Sequence, residues 1–332
     1  MEEIVKLDLK DRKILYQLDL NPRQSSAGIG KAVRLSKDVV NYRIKKLEEL
    51  GVIRWYSLIS NTYRMGLLKV KLYLTLQNET KKKRGEIVDY FCSHPKTEWV
   101  AEMSGRWDMT IGYLVKDIYE FNDAMFDLIE RYGENLNEKE TTISLGVYHF
   151  KKDWLLHEKR EKHREVYQSG KTVEVKLDGL DDELLRVMTN NAKLPLIRLA
   201  GTLKQKPQTI RYRLDQLRKK GLVTTSKVYI DLARIGRLFY KSHVYLQKTS
   251  EKRVRSLISF CESKPEITYV IRNIGPWELE IEFEIESFGK FYSLMEEIKH
   301  EFPDVVRKYD YVVITKDRQW NFYPNCYKPN SL

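Results

Sequence analysis

The sequence lacks the features that mark secreted, membrane-spanning or metal-binding proteins. Its cysteines are odd in number and far apart, at Cys92, Cys261 and Cys326, which argues against a disulfide framework. Its six histidines include no HxxxH pair, and no apolar run approaches the roughly 20 residues that a membrane helix needs. The starting segment MEEIVKLDLKDRK has no apolar core of a signal peptide. We therefore expect a cytoplasmic protein with no metal and no cofactor.

Positive charge is abundant, and it is concentrated in two segments. The 332 residues include 59 Lys or Arg and 47 Asp or Glu, for a net charge of +12. Residues 1–61 carry 12 basic and 8 acidic side chains, and residues 176–231 carry 12 and 6, so these segments hold +10 of the total. Such a distribution favours an anionic partner that contacts both segments.

The same two segments contain a repeated motif. Residues 38–53 read DVVNYRIKKLEELGVI, and residues 208–223 read QTIRYRLDQLRKKGLV. Further identities recur 170 positions apart, from Leu7 and Leu177 to Met125 and Met295. We expect a tandem duplication, with two copies of one two-part unit and no large insertion.

The first part of each copy has the pattern of three short helices. Apolar residues of the third helix share one face by their i, i+4, i+7 spacing: Val40, Ile44 and Leu47. Ser36 can cap this helix and Gly51 can end it, whereas the second copy has Lys206 and Pro207 at its start. A tight turn before the third helix predicts a helix-turn-helix, and residues 52–56 predict a short strand as a small wing.

The second part of each copy alternates between strands and helices. In the first copy strands are expected at 68–76, 97–103, 108–115 and 140–150, with helices near 82–93 and 118–132. This β-α-β-β-α-β order predicts a ferredoxin-like domain, so the fold class is α+β, with two copies of a winged helix-turn-helix followed by a ferredoxin-like domain. The expected boundaries are 1–61, 62–153, a charged, solvent-exposed helical linker at 154–175, then 176–231 and 232–326.

The outward face of the third helix predicts contact with DNA. An α-helix fits the major groove, where Asn or Gln can pair with adenine and Arg with guanine, while Lys and Arg suit phosphates. The candidate residues are Lys37, Asp38, Asn41, Tyr42, Arg43, Lys45, Lys46, Lys206, Gln208, Thr209, Arg211, Tyr212 and Arg213. The alternative is an ordinary amphipathic helix with a solvated charged face. Residues 204–220 carry seven basic and one acidic side chain against five and three in residues 34–50, so we expect the second copy to bind DNA more strongly.

These motifs resemble a known family. LDLKDRKILYQL followed by LSKDVVNYRIKKLEELGVI is similar to the DNA-binding domain of the Lrp/AsnC (feast/famine) transcription regulators. The second part, with its GRWD turn at residues 105–108, resembles that family's ligand-sensing and oligomerisation domain. The resemblance implies a regulator that binds double-stranded DNA as a dimer or higher oligomer and senses an amino acid or similar small molecule. Two copies in one chain further suggest an intrachain pseudo-dimer with unequal half-sites, and a homodimer remains open.

The same resemblance implies a ligand site near the turn between the second and third strands of the sensing domain. The matching residues are Ser104, Gly105, Arg106, Asp108, Asn273, Gly275 and Glu278. Asp108 or Glu278 could hold an ammonium group, and Pro276 could have removed the site from the second copy. The alternative is a hairpin turn anchored by its Trp.

The stretch ELEIEFEIE at residues 278–286 has no counterpart in that family. On a strand its five glutamates share one face. They predict either a sheet face that is solvated or paired with Lys and Arg, or an acidic face that selects a basic partner surface or a divalent cation.

Three functions remain open, and a sequence-specific transcription regulator fits best. An architectural DNA binder with little sequence preference is the second. The third is an enzyme, because some haem-pathway decarboxylases resemble this architecture with a helix-turn-helix that no longer serves DNA. Such an enzyme needs His and Arg around a porphyrin, whereas His94, His149, His243 and His300 occupy non-matching places in the two copies. We see no paired carboxylates, nucleophile–base pair or phosphate loop, and we do not expect an enzyme.

Overall fold

The computed structural model describes residues 4–156, 166–169, 174–189, 191–321 and 323. The first half contains α1 (Leu9–Leu20), α2 (Ser26–Val33), α3 (Lys37–Glu49), β1 (Ile53–Ser60), β2 (Leu68–Leu76), α4 (Lys81–Ser93), β3 (Thr97–Gly105), β4 (Met109–Val115), α5 (Ile118–Tyr132) and β5 (Leu136–His149). A short strand, β6 (Val166–Ser169), follows. The second half contains α6 (Gly179–Thr189), α7 (Leu196–Thr202), α8 (Pro207–Lys219), β7 (Val223–Ile230), β8 (Leu238–Leu246), α9 (Glu251–Glu262), β9 (Ile267–Ile274), β10 (Leu279–Ile285), α10 (Phe288–Glu301) and β11 (Val306–Trp320). Short 3₁₀ helices lie at Thr62–Met65, Gly133–Asn135, Asp153–Leu155 and Ala233–Ile235.

Helix α3 and its counterpart α8 begin where the sequence predicts. The Ser36 hydroxyl accepts a hydrogen bond from the Val39 backbone N–H and caps α3. Helix α8 starts at Pro207 after Lys206, which makes no side-chain cap bond. Gly51 and Gly221 follow the two helices with φ of +70° and +66°, the left-handed region that glycine adopts without strain.

Eight strands form one closed antiparallel sheet to which both halves contribute. The first half supplies the strand order β5-β2-β4-β3, and the second half supplies β11-β8-β10-β9. Strand β3 pairs with β11, and β9 pairs with β5, so each half-sheet joins the other along both of its edges. Closure leaves the long edge strands with partners for their backbone groups.

Each half-sheet has a face covered by helices and a face turned toward the other half. On β2, Val70, Leu72 and Leu74 pack against α4 and α5, while Tyr73 lies on the opposite face. On β10 the apolar residues likewise face α9 and α10. The space between the half-sheets is filled by large aromatic side chains, including Trp99, Trp107 and Trp277.

Strand β1 does not form a separate wing. It pairs antiparallel with β7 of the second half, with Leu58 opposite Ser226, and the two make a sheet of their own. Most of β1 is buried. A buried strand needs a partner for its backbone N–H and C=O groups, and here that partner lies 170 positions away rather than in a local hairpin.

The described part of the predicted linker is not an exposed helix. Trp154 and Leu155 lie in a short 3₁₀ helix and are buried. Residues 166–169 form strand β6, which pairs with residues 146–149 of β5. Their β pairing replaces the expected helix because the edge of β5 is available to them. The charged run HEKREKHRE, at 157–165, lies outside the described residues.

The three glutamates within β10 are buried, so the solvent-facing interpretation is wrong for them, whereas Glu286 just beyond the strand is exposed. Glu280, Glu282 and Glu284 are 0%, 3% and 5% exposed. They form ion pairs with lysines: Lys71, Lys152 and Lys241. The alternative of a Lys-paired face is therefore correct, and the basic surface that these glutamates select belongs partly to the first half of the same chain.

Two general properties concern the described residues only. None of their helices combines the length and apolarity required to traverse a bilayer. They also contain no cluster of three or more His, Cys, Asp or Glu side chains arranged to hold a metal ion.

Candidate nucleic-acid interface

Helices α3 and α8 bury one face and expose the other. On α3, Val40, Ile44 and Leu47 are at most 4% exposed. The outward residues of α3 are Lys37, Asp38, Asn41, Tyr42, Lys45 and Lys46, and those of α8 include Gln208, Arg211 and Tyr212. Tyr42 and Tyr212 are 65% and 61% exposed. Each helix thus presents polar and cationic groups to solvent at its N-terminal half, the part that enters the major groove in helix-turn-helix proteins.

Two of the candidate DNA contacts have their charges compensated inside the protein. The Arg43 guanidinium lies 2.8 Å from Asp8 and 2.7 Å from Asp11. The hydrogen bond to Asp11 contributes most to the raised pKa of Arg43. Arg213 makes the matching pairs in the second half, at 2.5 Å from Asp178 and 3.4 Å from Asp181. These arginines therefore tie α3 to α1 and α8 to α6.

The surroundings of the two outward faces differ. Ser26 donates a hydrogen bond to the Asn41 Oδ1, which positions Asn41 between α2 and α3. Arg211 instead borders a groove of about 620 Å³ that both helical units line. The acidic residues of α3 are also partly engaged, because Glu48 accepts a hydrogen bond of 2.6 Å from the Tyr56 hydroxyl. The remaining predicted residues Lys206 and Thr209 lie at the start of α8.

The helical units of the two halves are joined by reciprocal contacts. The Asn61 N–H bonds to the Leu222 carbonyl at 2.7 Å, and the Asp231 N–H bonds to the Val52 carbonyl at 2.9 Å. Arg23 adds contacts of 2.6 and 3.0 Å to the Ala192 and Leu194 carbonyls. One hydrophobic core contains residues of α1, α3, α6 and α8. The spacing of α3 and α8 is therefore set by buried contacts within the chain.

Sequence reasoning missed the arginines at this junction. Gly51 packs beside the Arg234 guanidinium, and Gly221 beside that of Arg64. Arg64 and Arg234 are identical residues at the 170-position offset, which is a signal that the sequence contains. Their positions between the units could not be inferred without the pairing of β1 with β7.

The predicted ligand residues lie in two turns that pack against the opposite half. A Cβ on Gly105 would lie 3.1 Å from the Tyr311 carbonyl oxygen, and one on Gly275 would lie 2.9 Å from that of Thr141. Close backbone approach to a partner strand thus explains both glycines. The neighbouring Trp107 and Trp277 are buried anchors.

The two carboxylates proposed to hold an ammonium group accept backbone hydrogen bonds. Asp108 accepts one from Leu76, and Glu278 accepts one from Leu246, each at 2.8 Å. Ser104 is exposed on the turn, whereas Asn273 is buried and donates to Glu280 at 3.1 Å. The structure therefore distributes these residues among strand-anchoring roles and does not gather them around one ligand.

Arg106 belongs to a polar network that reaches a buried histidine. Its guanidinium lies 2.9 Å from both the Tyr245 hydroxyl and Asp310. Asp310 also contacts the His243 Nδ1 at 2.8 Å, and the His243 ring stacks on Trp277 with 4.1 Å between centroids. Burial lowers the pKa of His243, although Asp310 opposes this effect. The His243 ring is therefore held between the Trp277 ring and the Asp310 carboxylate.

A solved structure resembles nearly the whole chain. The crystal structure of the siroheme decarboxylase NirDL superposes with a TM-score of 0.61 and 13% identity, covering 94% of this chain and 93% of that chain. At this identity the likeness shows the fold alone.

Regulators of transcription resemble part of the sequence. A family model described as winged helix-turn-helix DNA-binding matches residues 7–54. The proline dehydrogenase transcriptional activator of Rhodobacter capsulatus is 30% identical over 120 residues, which cover 36% of this chain and 78% of that protein. The regulatory protein AsnC of Haemophilus influenzae is 33% identical over 89 residues, or 26% of this chain and 59% of that protein. The chain therefore belongs to the AsnC/Lrp-like family of DNA-binding helix-turn-helix regulators.

Proposed function

We propose that the chain is a sequence-specific transcription regulator in which α3 and α8 act as two reading heads of one intrachain pseudo-dimer. The observation that carries this proposal is that both helices expose a polar face while their apolar faces share one core. The proposal treats the two halves as tandem copies with the domains 1–61, 62–153, 176–231 and 232–326. In such a protein the covalent link replaces the association of two subunits.

The two heads are expected to read different sequences. Asn41 on α3 suits adenine, and Arg211 at the corresponding position of α8 suits guanine. Basic side chains outnumber acidic ones more strongly around α8, which favours the second unit for phosphate contacts. The preferred operator is therefore asymmetric, with one stronger half-site.

An effector near the two glycine turns is a weaker part of the proposal. Asp108 and Glu278 already accept backbone hydrogen bonds, so an amino acid would have to compete with these contacts. Ser104 and Arg106 are exposed and leave room for such a ligand at the turn of the first half.

The test is selection of DNA from a randomised duplex pool by the full chain at two salt concentrations, followed by sequencing. Two unlike half-sites about 10 base pairs apart are expected, the spacing of one helical turn. Arg211→Ala should relax one half-site and Asn41→Ala the other, with Lys248→Ala as the matched control outside both units. Salt-sensitive retention without an enriched motif would instead indicate the architectural function. No retention at low salt would refute both.

The enzyme alternative has only the fold in its favour. Large side chains fill the space between the half-sheets, where a cavity of about 50 Å³ lies beside His149. Burial lowers the pKa of His149 well below its usual range, and Lys227 and Lys69 add to this effect. A space of that size holds one or two waters, so a porphyrin would have to bind in one of the larger open clefts and not beside His149. A haem absorption band in the purified full-length protein would revive the alternative.

A further inference from the structure

A cleft lies between the β1–β7 strand pair and the end of β11. Its volume is about 540 Å³, within the range of small-molecule sites. Five aromatic side chains line it: Trp55, Tyr229, Phe239, Tyr269 and Trp320. The rings of Trp55 and Tyr229 stack with 4.8 Å between centroids, and Trp320 lies 5.4 Å from Tyr229. The Arg54 guanidinium also lies over the Trp55 ring, 5.0 Å from its centroid, so a flat ligand ring would share this aromatic wall with Arg54.

Cationic side chains outnumber carboxylates around the cleft. The basic lining residues are Arg54, Lys152, Lys227, Arg237 and Lys316, and the acidic ones are Asp231, Glu284 and Asp317. Lys152 is paired with Glu284, and Arg237 with Glu286. Arg54 and Lys316 are exposed and form no ion pair with any described residue. Arg54 is attracted to the Asp317 carboxylate and lies over the Trp55 ring, so the mouth of the cleft has two cations that lack a salt bridge to any described residue.

The corresponding space in the first half is filled by the chain itself. There β6 pairs with residues 146–149 of β5, and Gln168 donates to the Ser60 carbonyl at 3.3 Å and to the Thr224 hydroxyl at 3.1 Å. Gly146 and Thr224 correspond at the 170-position offset to Lys316 and Arg54. Thus the space that β6 fills is bordered by small residues at these two positions, whereas the cleft of the second half is bordered by cations.

The strand edge at this cleft has no partner strand among the described residues. Residues 316–320 of β11 pair with β3 on one side, and among the described residues no strand pairs with their other side. The Trp55 indole N–H is buried without a hydrogen-bond acceptor in the described part of the chain. The cleft therefore offers donors and ring faces to a ligand that brings its own acceptors.

We propose that this cleft binds a planar aromatic carboxylate. The ring lies against Trp55, Tyr229 and Trp320, and the carboxylate pairs with Arg54 and Lys316 at the mouth. An aromatic ring gains stacking and burial, while a carboxylate gains charge-assisted hydrogen bonds from a guanidinium. Because β7 contacts α8 and β1 contacts α3, a ligand here would touch the strands that support both reading heads. That regulatory consequence rests on the proposed function, whereas ligand binding does not.

The test is calorimetric titration of the full chain with 1-naphthoate in the absence of DNA. We expect a dissociation constant below about 1 mM, and about tenfold weaker binding to the double variant Arg54→Gln/Lys316→Gln. The control Lys248→Gln/Lys252→Gln removes two exposed cations outside the cleft and should bind like the wild type. Neutral 1-naphthylmethanol should bind the wild type about tenfold more weakly than the anion.

Three outcomes would overturn the proposal: no binding at millimolar 1-naphthoate, equal losses in the two double variants, or equal binding of the neutral analogue. Far-UV circular dichroism establishes that each variant is folded. Since no DNA is present, a failure here leaves the DNA-binding proposal intact, and failure of DNA selection leaves this one intact.

Discussion

The two half-sheets share a strand order, yet they face each other with different charges. The second half contributes Glu280, Glu282 and Glu284, where the first half has Thr110, Gly112 and Leu114 at the corresponding positions. The first half contributes Lys71 and Lys152 to the ion pairs of these glutamates. The halves are thus complementary rather than equivalent. Two second halves brought together would confront two sets of glutamates with Lys241 at the place of Lys71 but Phe322 at the place of Lys152, so the charges favour pairing of unlike halves.

The contacts of Glu280 illustrate the charge complementarity of the two halves. Its carboxylate accepts hydrogen bonds from Tyr73 at 2.8 Å, Lys241 at 3.0 Å and Trp277 at 3.2 Å. Burial alone would raise the pKa of Glu280, but the ammonium groups of Lys241 and Lys71 outweigh burial and hold this pKa well below the usual range. A buried charge of this kind is tolerated only while its partners are present.

The largest expected effect comes from removing a shared lysine. Lys241 pairs with both Glu280 and Glu282, so Lys241→Met should destabilise the fold by about 3–5 kcal/mol, the usual result of leaving a buried charge unpaired. Lys71→Met, at the corresponding position of the first half, should reduce the free energy of unfolding by less, because Lys71 forms an ion pair with Glu280 alone. Urea unfolding followed by circular dichroism and tryptophan fluorescence measures both. The exposed control Lys248→Met should lie within about 0.5 kcal/mol of the wild type. Equal losses at positions 71 and 241 would contradict the asymmetry.

The two helices proposed to read DNA, α3 and α8, give the next largest contrast. Arg211→Ala should weaken binding to the selected operator by about 1–3 kcal/mol, the range for loss of one bidentate base contact. Asn41→Ala should cost less, because α3 lies in the less basic unit. Fluorescence anisotropy at fixed salt measures both affinities. A larger loss for Asn41→Ala would reverse the assignment of the stronger head.

A buried carboxylate near the cleft predicts a pH effect specific to the second half. Burial raises the pKa of Asp317 to about 6, whereas Val147 stands at the corresponding position of the first half. Since the folded protein binds this proton more readily than the unfolded chain does, the contribution of Asp317 to stability grows as pH falls through 6 and is lost as pH rises. Asp317→Asn should therefore remove about 1–2 kcal/mol of the stability difference between about pH 8 and pH 5.

The measurement is urea unfolding at the two pH values. The charge-matched control is Asp123→Asn, at an exposed position. The control should keep the stability difference of the wild type. If Asp317→Asn keeps it as well, the burial of Asp317 has no energetic consequence.

The smallest contrast concerns the junction of the helical units. Arg23 donates to two carbonyls of the second half, while Lys193, at the corresponding position, lies 3.4 Å from Glu48. Arg23→Ala should cost about 1–2 kcal/mol, and Lys193→Ala about 0–1 kcal/mol. Thermal unfolding of the two variants in parallel tests this order, and equal shifts in Tm would contradict it.

Local patterns predict individual elements well in this chain. The periodicities predict Leu68–Leu76 and Ile118–Tyr132, and β2 and α5 have these bounds. Ser36 and Pro207 mark the starts of α3 and α8 because capping depends on neighbouring residues alone. The exposed polar face of each third helix follows from the spacing of three apolar residues.

Sequence patterns do not predict the structure where the partner of a segment lies far away along the chain. A strand pattern of period two fits β1 equally well as a wing strand and as the partner of β7. It also fits β10 equally well with its glutamate face solvated or buried. The tertiary positions of lysines such as Lys71, about 200 residues away along the chain and opposite Glu280, distinguish the buried case. The cleft is assembled in the same way from β1, β7 and β11.

The sequence by itself determined most of the elements, the recurrence of residues 170 positions apart and the basic character of residues 1–61 and 176–231, since these depend on composition and on spacing along the chain. Tertiary structure decided that unlike halves close one sheet, that the glutamates of β10 are neutralised inside it, and that the described residues fill only one of two related clefts. Those outcomes depend on which surfaces meet, because desolvated charges and strand edges acquire their energies only from the groups brought against them.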